Sequence, residues 1–336
     1  MTGGPVAPSI APGVLAGGRW PMTYLTTHGP RADPATALMW GMIVLSIAVV
    51  LVIGIAVLSG VWIRSVRGRR TEVAATPVAR GAGGLTWMYV GMPPTVLALV
   101  VLLVWTLQVM AAIDSPSRRP ALTVEVTGHE WWWEARYRGA APADVFTTAN
   151  EIHIPVGVPV LVKLASADVI HAFWVPALTG KTQTIPGRLN VSWMQADRPG
   201  NYRGQCTQYC GLQHAHMALY VVAQPREAFE AWRRDQLRPA APPTGPAAVA
   251  GEAVFAAHCA ACHTVAGTEA GGILGPDLTH VMSRGTLASG ALANNPNNVA
   301  GWIADPQSAK PGAKMPATLL SGPQLGAVVA YLETLK

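Results

Sequence analysis

Two long stretches of the chain carry no charged side chain. Residues 37–63 and 85–113 contain no Asp, Glu, Lys or Arg, and each is longer than the ~20 apolar residues that cross a bilayer as a helix. Both are predicted to span. Pro93 and Pro94 fall near the start of the second stretch, where a kink is better tolerated than at mid-helix. From Leu122 the apolar period changes to two, through Leu122, Val124 and Val126 and then Trp131, Trp133, Ala135 and Tyr137, with Gly128 interrupting. Further runs at Ile152–Ile154, Val158–Leu164, Leu189–Trp193 and Ala218–Val222 are separated by Pro and Gly. Together they predict an all-β barrel or sandwich over residues 114–236. Pro225 opens a short amphipathic helix through Phe229 and Trp232. Residues 237–248 then hold Pro239, Pro242, Pro243 and Pro246, a composition that favours an extended, semi-rigid linker. Residues 249–336 are Ala-rich, with helical patterns around Phe255 and Tyr331, and predict a small all-α domain.

Composition supports reading the membrane segments first. Half of the 336 residues are hydrophobic and 12% are charged, so the chain is apolar enough for two spans and long enough for two small soluble cores. Residues 64–84 hold Arg64, Arg67, Arg69, Arg70 and Arg80 against Glu72 alone. A short Arg-rich loop stays in the cytoplasm, which places both termini on the outer face. Residues 1–36, rich in Gly and Pro, receive no fold and show no obvious secretory cleavage site. The net charge of +6 comes partly from the Arg loop, and no basic run interleaved with aromatics supports nucleic-acid binding.

Four cysteines outside the cytoplasm would ordinarily form two disulfides. Their spacing argues otherwise. CTQYCGLQHAHM concentrates Cys206, Cys210, His214 and Met217 in a dozen residues, and thiolate, thioether and imidazole together select copper over hard cations. One copper of the blue type needs only one Cys, so the second is surplus unless a second copper is bound. A further imidazole should come from another strand; His171 in DVIHAFWVP, flanked by apolar residues, is the best candidate. CAACH, from Cys259 to His263, fits the CxxCH rule in which Cys259 and Cys262 form thioethers to haem c and His263 becomes an axial ligand. A zinc reading would need more Cys or paired His downstream. Of the two Met residues that remain, Met282 follows the first helix in a core-like setting, whereas Met315 in KPGAKMP lies on a Pro-punctuated loop free to close over the haem. Met315 is the expected second axial ligand.

DVIHAFWVP, KTQTIPGRLN and CTQYCGLQHAHM resemble the corresponding stretches of cytochrome c oxidase subunit II, and the two preceding spans fit. The C-terminal domain resembles class I cytochrome c, with Gly251 and Phe255 in its first helix, GPDL at Gly275–Leu278 and Tyr331 in its last. The combination is that of caa-type oxidases. The resemblance implies a cupredoxin-like barrel with a binuclear CuA centre, in which Cys206 and Cys210 bridge the coppers. His171 and Met217 would complete one ion, and His214 with the main-chain carbonyl of Gln208 the other. It also implies that the Pro276 carbonyl receives the ring proton of His263, and that Trp131 matches the family's exposed Trp through which electrons reach the copper. His129 and His216 match no ligand position and are expected to be structural.

Two departures matter. The family usually has Glu where Gln208 stands, and an amide cannot supply the carboxylate that helps hold Mg²⁺ or Mn²⁺. Copper is therefore expected without support for the hard-metal site. No Asp or Glu occurs between Glu72 and Asp114, and Thr86 stands about where many relatives carry a Glu proton entrance. No proton role is expected.

The implied protein is an oxidase subunit in the bacterial cytoplasmic membrane, multi-pass, with both soluble domains on the periplasmic face. Its implied partners are catalytic subunit I and other oxidase subunits, the lipid bilayer, and an upstream cytochrome or complex III as donor. It would relay electrons from haem c through CuA to the subunit that reduces O₂ to water. A quinol oxidase subunit would need no copper ligands. A nitrous oxide reductase-like enzyme would need many more His, and a membrane-anchored copper-delivery or haem-carrying protein is separable by metal stoichiometry and partner isolation.

Overall fold

The computed structural model describes residues 22, 24–66, 84–139 and 141–336. They form two compact units, one of residues 33–115 and the other of the residues up to 32 together with 116–336. The opening residues 1–21 and 23, and Arg67, Glu72, Arg69, Arg70 and Arg80 of the basic loop, lie outside the described residues.

The first unit is a pair of helices, α1 (Asp33–Val66) and α2 (Gly84–Asp114). Both are long and apolar enough to cross a membrane. Their apolar side chains are not confined to one face: Val50, Val52, Leu58, Leu97 and Leu103 all stand exposed, as suits helices solvated by lipid. α1 runs a few residues beyond its uncharged stretch, with Asp33 favourably placed in its first turn and Arg64 in its last, whereas α2 exceeds its stretch by one residue at each end. Pro93 and Pro94 lie inside α2, which continues through them.

The second unit opens its regular structure with β1 (Leu122–His129) and β2 (Trp132–Arg138), an antiparallel pair in which Val124 faces Tyr137 and Gly128 faces Trp133. The alternation read from sequence is the burial pattern: Val124, Val126, Trp133, Ala135 and Tyr137 are all buried. Gly128 does not interrupt β1, which runs on to His129. β3 (Phe146–Ala149) pairs with β2, β5 (Val160–Ser166) runs parallel to β1, and β8 (Asn190–Met194) pairs with β5. This five-stranded sheet has the order β3-β2-β1-β5-β8. A second sheet places β10 (Ala218–Gln224) between β4 (Glu151–Pro155) and β9 (Gly200–Gln205). β6 (His171–Phe173) and β7 (Thr182–Thr184) form a separate hairpin.

Ile152, Ile154, Leu219 and Val221 from the second sheet meet Val160, Val162 and Leu164 from the first in one buried cluster. This is a cupredoxin-like β domain. Its end is closed by α3 (Arg226–Gln236), whose Trp232 stacks on His153 at 4.1 Å and meets Tyr137 edge-on at 5.3 Å. Part of the opening segment is also fastened to it. The His28 amide donates to the Ala177 carbonyl at 2.8 Å, and the Arg31 guanidinium both bonds the Trp193 carbonyl at 3.1 Å and lies over its indole.

The C-terminal part is helical: α4 (Pro246–His258), α5 (Pro296–Ala304), the short α6 (Pro306–Ala309) and α7 (Gly322–Leu332). Each starts with Pro in its first turn, where the missing N–H costs nothing. Asn295 and Asp305 cap α5 and α6 through their side chains, and Ser321 with Gln324 forms a capping box on α7. Phe255 of α4 packs on Tyr331 of α7, ring centroids 5.4 Å apart. A two-residue hairpin, β11 (Thr286–Leu287) with β12 (Leu292–Ala293), is added to the helices. The Pro-rich linker carries no regular secondary structure from Pro239 to Thr244 and is fastened to the helical domain at two points. α4 already begins at Pro246, the Ala240 amide bonds the Ala266 carbonyl at 2.8 Å, and His280 Nε2 donates to the Arg238 carbonyl at 3.0 Å. These backbone groups find partners on the helical domain and need not stay in water.

Candidate functional site

The segment between β9 and β10 carries Cys206, Gln208, Cys210, His214 and Met217, and its neck is closed by the antiparallel pairing of those two strands. The Cys206 amide donates to the Met217 carbonyl at 3.0 Å, and the Thr207 amide to Ala172 at 3.1 Å beside His171. Two stretches some 35 residues apart (206 minus 171) are thereby brought together. The thiol sulfurs of Cys206 and Cys210 are 3.7 Å apart, the Cys210 sulfur is 3.5 Å from His214 Nδ1 and 3.9 Å from the Met217 sulfur, and the Cys206 sulfur is 3.2 Å from the Gln208 carbonyl. His171 joins the two thiols, one ligating atom from each lying within 4.8 Å of the others. All six residues singled out in the sequence for copper thus converge. Among the described residues the cysteines are free thiols.

His171 is held from behind. Its Nε2 donates to the Asp168 carboxylate at 2.8 Å. Its Nδ1 is buried with no hydrogen-bond partner of sound geometry among the described residues. An orphaned ring nitrogen aimed at two thiols is what a soft metal ion would satisfy, and the carboxylate behind it sets the tautomer. Gly128 explains itself here: a Cβ at that position would come within 2.7 Å of the His171 ring. Burial opposes charge on His171, but Asp168 and Cys206 outweigh it and raise the imidazole to about 9. The hydrogen bond from Cys210 draws Cys206 down to about 4, and the same bond, with burial, drives Cys210 upward. The two thiols therefore keep one proton between them, because two adjacent thiolates repel; a bound metal cation would displace it. The donor set fits copper.

Trp131 is buried, not exposed: 8% of its surface is accessible. Its indole Nε1 donates to the Cys210 carbonyl at 2.7 Å, inside the copper loop. Trp133 is a core residue against His171 and Phe173, and Trp132 stacks on His129 at 4.3 Å. His216 Nδ1 is engaged with Gln213 at 2.7 Å. The Gln208 side chain meets Gln183 at 3.5 Å and carries no charge.

In the helical domain Cys259 caps α4, its amide bonding the Phe255 carbonyl at 2.8 Å; the Cys262 and His263 amides both return to the Cys259 carbonyl at 3.0 Å. This turn presents the CxxCH side chains at a helix end. His263 Nδ1 lies 2.8 Å from the Pro276 carbonyl. A carbonyl can only accept, so Nδ1 carries the proton and Nε2 keeps its lone pair; burial lowers the His263 pKa and favours that neutral ring. Met315 and Cys259 both pack on the same core as Phe255 and Tyr331, as does Met282. Ile273, Leu274 and Leu319, near these residues in sequence, are exposed apolar side chains of the kind a porphyrin covers. A covalent haem fits this donor set too. Asp168 was not singled out by sequence reasoning, although a carboxylate three residues before an imidazole was a signal that could have found it.

Such a molecule is a membrane-anchored carrier of redox groups in two soluble domains. Comparison with known proteins narrows the class. The profile described as "Cytochrome C oxidase subunit II, periplasmic domain" matches residues 139–224, and that of cytochrome c matches residues 248–336. The cytochrome c oxidase subunit 2 of Alkalihalophilus pseudofirmus is 35% identical over 94% of this chain and 91% of its own length. That of Bacillus sp. strain PS3 is 33% identical over 68% and 66% respectively. The periplasmic domain of subunit II of cytochrome oxidase from Bradyrhizobium japonicum aligns with 36% of this chain and 96% of its own at 31% identity, TM-score 0.34. The chain belongs to the cytochrome c oxidase subunit 2 family, with a fused cytochrome c domain, and is thus part of an oxidoreductase.

Proposed function

We propose that this chain is the electron-input subunit of a bacterial terminal oxidase, placed in the cytoplasmic membrane with both soluble domains on the periplasmic side. Cys259, Cys262, His263 and Met315 would hold a covalent haem c. His171, Cys206, the Gln208 carbonyl, Cys210, His214 and Met217 would hold a binuclear CuA centre. When bound, the two groups supply reversible one-electron chemistry, with O₂ reduced on a partner subunit.

The observation that carries this reading is the convergence of two thiols, a second imidazole and a thioether from the β9–β10 loop with the orphaned imidazole nitrogen of His171 from β6. The side chains bind and orient, and none is required as acid, base or nucleophile. Asp168 fixes the His171 ring, the Pro276 carbonyl fixes His263, and the β9–β10 neck fixes both cysteines, so ligand positions need shift little on a change of charge. Trp131, bonded to the Cys210 carbonyl, is the proposed residue for electron input to the copper domain. A short chain link between the two soluble domains keeps the effective concentration of one beside the other high.

The test is a metal count with a spectrum. Purified in mild detergent, the chain should retain a polytopic partner and contain two coppers and one c-type haem iron. Cys206→Ser should abolish the near-infrared copper absorption and leave the haem bands. Copper absorption that survives this substitution sinks the assignment.

A further inference from the structure

Trp131 lies under the helical domain of its own chain. Its carbonyl receives two hydrogen bonds from that domain, from Lys310 Nζ at 2.5 Å and from Ser289 Oγ at 2.7 Å. Lys310 is 3% exposed, and the only other bond of its side-chain amine among the described residues goes to the Ala288 carbonyl at 3.3 Å. A buried amine whose partners are carbonyls on both domains cannot slide: separating the domains leaves it, or the Trp131 carbonyl, to find new partners. Burial pushes the Lys310 amine down to about 7, and in either charge state it still donates.

The surroundings are built around this contact. Ala288, Ser289 and Gly290 have φ of 51°, 58° and 80°, three successive left-handed residues of which two bear side chains. Such a run persists only where its surroundings over-determine it, and here it aims Ser289 Oγ at Trp131. Gly312 has φ of 85°, and a Cβ there would meet Leu212 at 3.1 Å and the Trp131 ring at 3.5 Å. Beside it Gln213 Nε2 of the copper loop donates to the Pro311 carbonyl at 2.7 Å, and on the other flank the Gly285 amide donates to Glu151 at 2.9 Å. Lys314 pairs with Glu130 and Asp168 at 3.2 and 3.3 Å, but it is 63% exposed and contributes little.

We infer that Lys310 and Ser289 are positioning residues, a latch that holds the cytochrome domain over Trp131 so that the indole is reached from that domain and not from solvent. The inference rests on the proposed role of Trp131. Residues 285–290 and 310–312 are the docking surface, and the loop that opens β2, with residues 212–213, is the face they fit.

The experiment uses the intact, metal-loaded oxidase with Lys310→Met, and with Ser289→Ala as a milder second variant should the first fold poorly. Two quantities are read: hydrogen exchange of the amides in segments 129–133 and 285–290, and the rate at which a light-injected electron passes from haem to copper. The latch predicts exchange in both segments about tenfold faster in Lys310→Met, with a smaller rise for Ser289→Ala. It also predicts transfer about tenfold slower at unchanged haem and near-infrared copper spectra, because the donor domain is no longer held in place. Unchanged exchange in both variants overturns the dock. Faster exchange with unchanged transfer overturns the positioning role. Copper-free wild-type protein with normal protection of both segments would instead count against the relay reading and leave the dock standing.

Discussion

The copper loop and the haem-binding turn solve the same problem in opposite ways. At the copper loop the protein does the assembling: His171, Cys206, Cys210 and Met217 are all at most 4% exposed, and strands distant in sequence bring them together. At the haem turn the residues are neighbours within CAACH, Cys259 and Cys262 are only partly buried, and the distant contributions are the Pro276 carbonyl and the proposed Met315. A metal ion holds by coordination alone, so its cage must be prepared by tertiary structure; a covalently attached group needs only a local turn and a pocket that closes afterwards.

The largest expected effect separates the two by their cysteines. Cys206→Ser should remove the copper centre entirely, since each sulfur lies against the rest of the cage. Cys262→Ser should leave haem attached through Cys259 alone, visible as a shifted α-band in the pyridine haemochrome spectrum. Full loss of haem from that variant would show that the turn is no more tolerant than the cage.

Next in size is the haem's far side. Met315→Ala is expected to lower the haem potential by on the order of 100 mV or more, or to open the iron to carbon monoxide. The copper absorption should not move. If potential and carbon monoxide binding both stay as they were while Met282→Ala changes them, the ligand is Met282.

The same contrast governs what sequence alone could disclose. CAACH is legible because its chemistry is local, and CTQYCGLQHAHM nearly so. His171 was legible through its apolar flanks, yet Asp168 behind it acts through a contact that no periodicity marks. Alternation found β1 and β2, and a continuous apolar run found β10, which is buried throughout, but β7 (TQT) and β9 (GNYRGQ) show neither: their polar and Gly residues are there to pair and turn, and Tyr202 is the one large buried apolar side chain in β9. Gly128 read as a break because a missing side chain weakens a strand pattern, when its cause is the imidazole beside it. Lys310 gave no signal at all, since a lysine in a polar loop reads as solvated until the other domain is set against it.

A glycine replaced by alanine sharpens the comparison further at the copper site. Gly128→Ala would push a methyl group into the His171 ring, within 2.7 Å of Cδ2. The ring must move or the strand must, and a displaced imidazole should raise the copper dissociation constant about 100-fold. Measured by copper competition with a chelator, an effect under twofold would mean that β1 yields more readily than the ring, and that the cage is softer than its burial implies.

The smallest effect expected is at Asp168, where shape can be kept and charge removed. Asp168→Asn can still offer an oxygen to His171 Nε2 and so preserve the tautomer, but it loses the anion that stabilises the ring, the oxygen that accepts the Glu130 amide and the pairing with Lys314. Support of a metal-binding imidazole by such a carboxylate is worth roughly 10- to 100-fold in affinity, and keeping the hydrogen bond places this variant at the lower end, about tenfold. The haem potential should be unchanged, because Asp168 touches the cytochrome domain only through an exposed lysine. Equal copper retention in wild type and Asp168→Asn would mean that the β9–β10 neck and Gly128, without the carboxylate, suffice to aim His171.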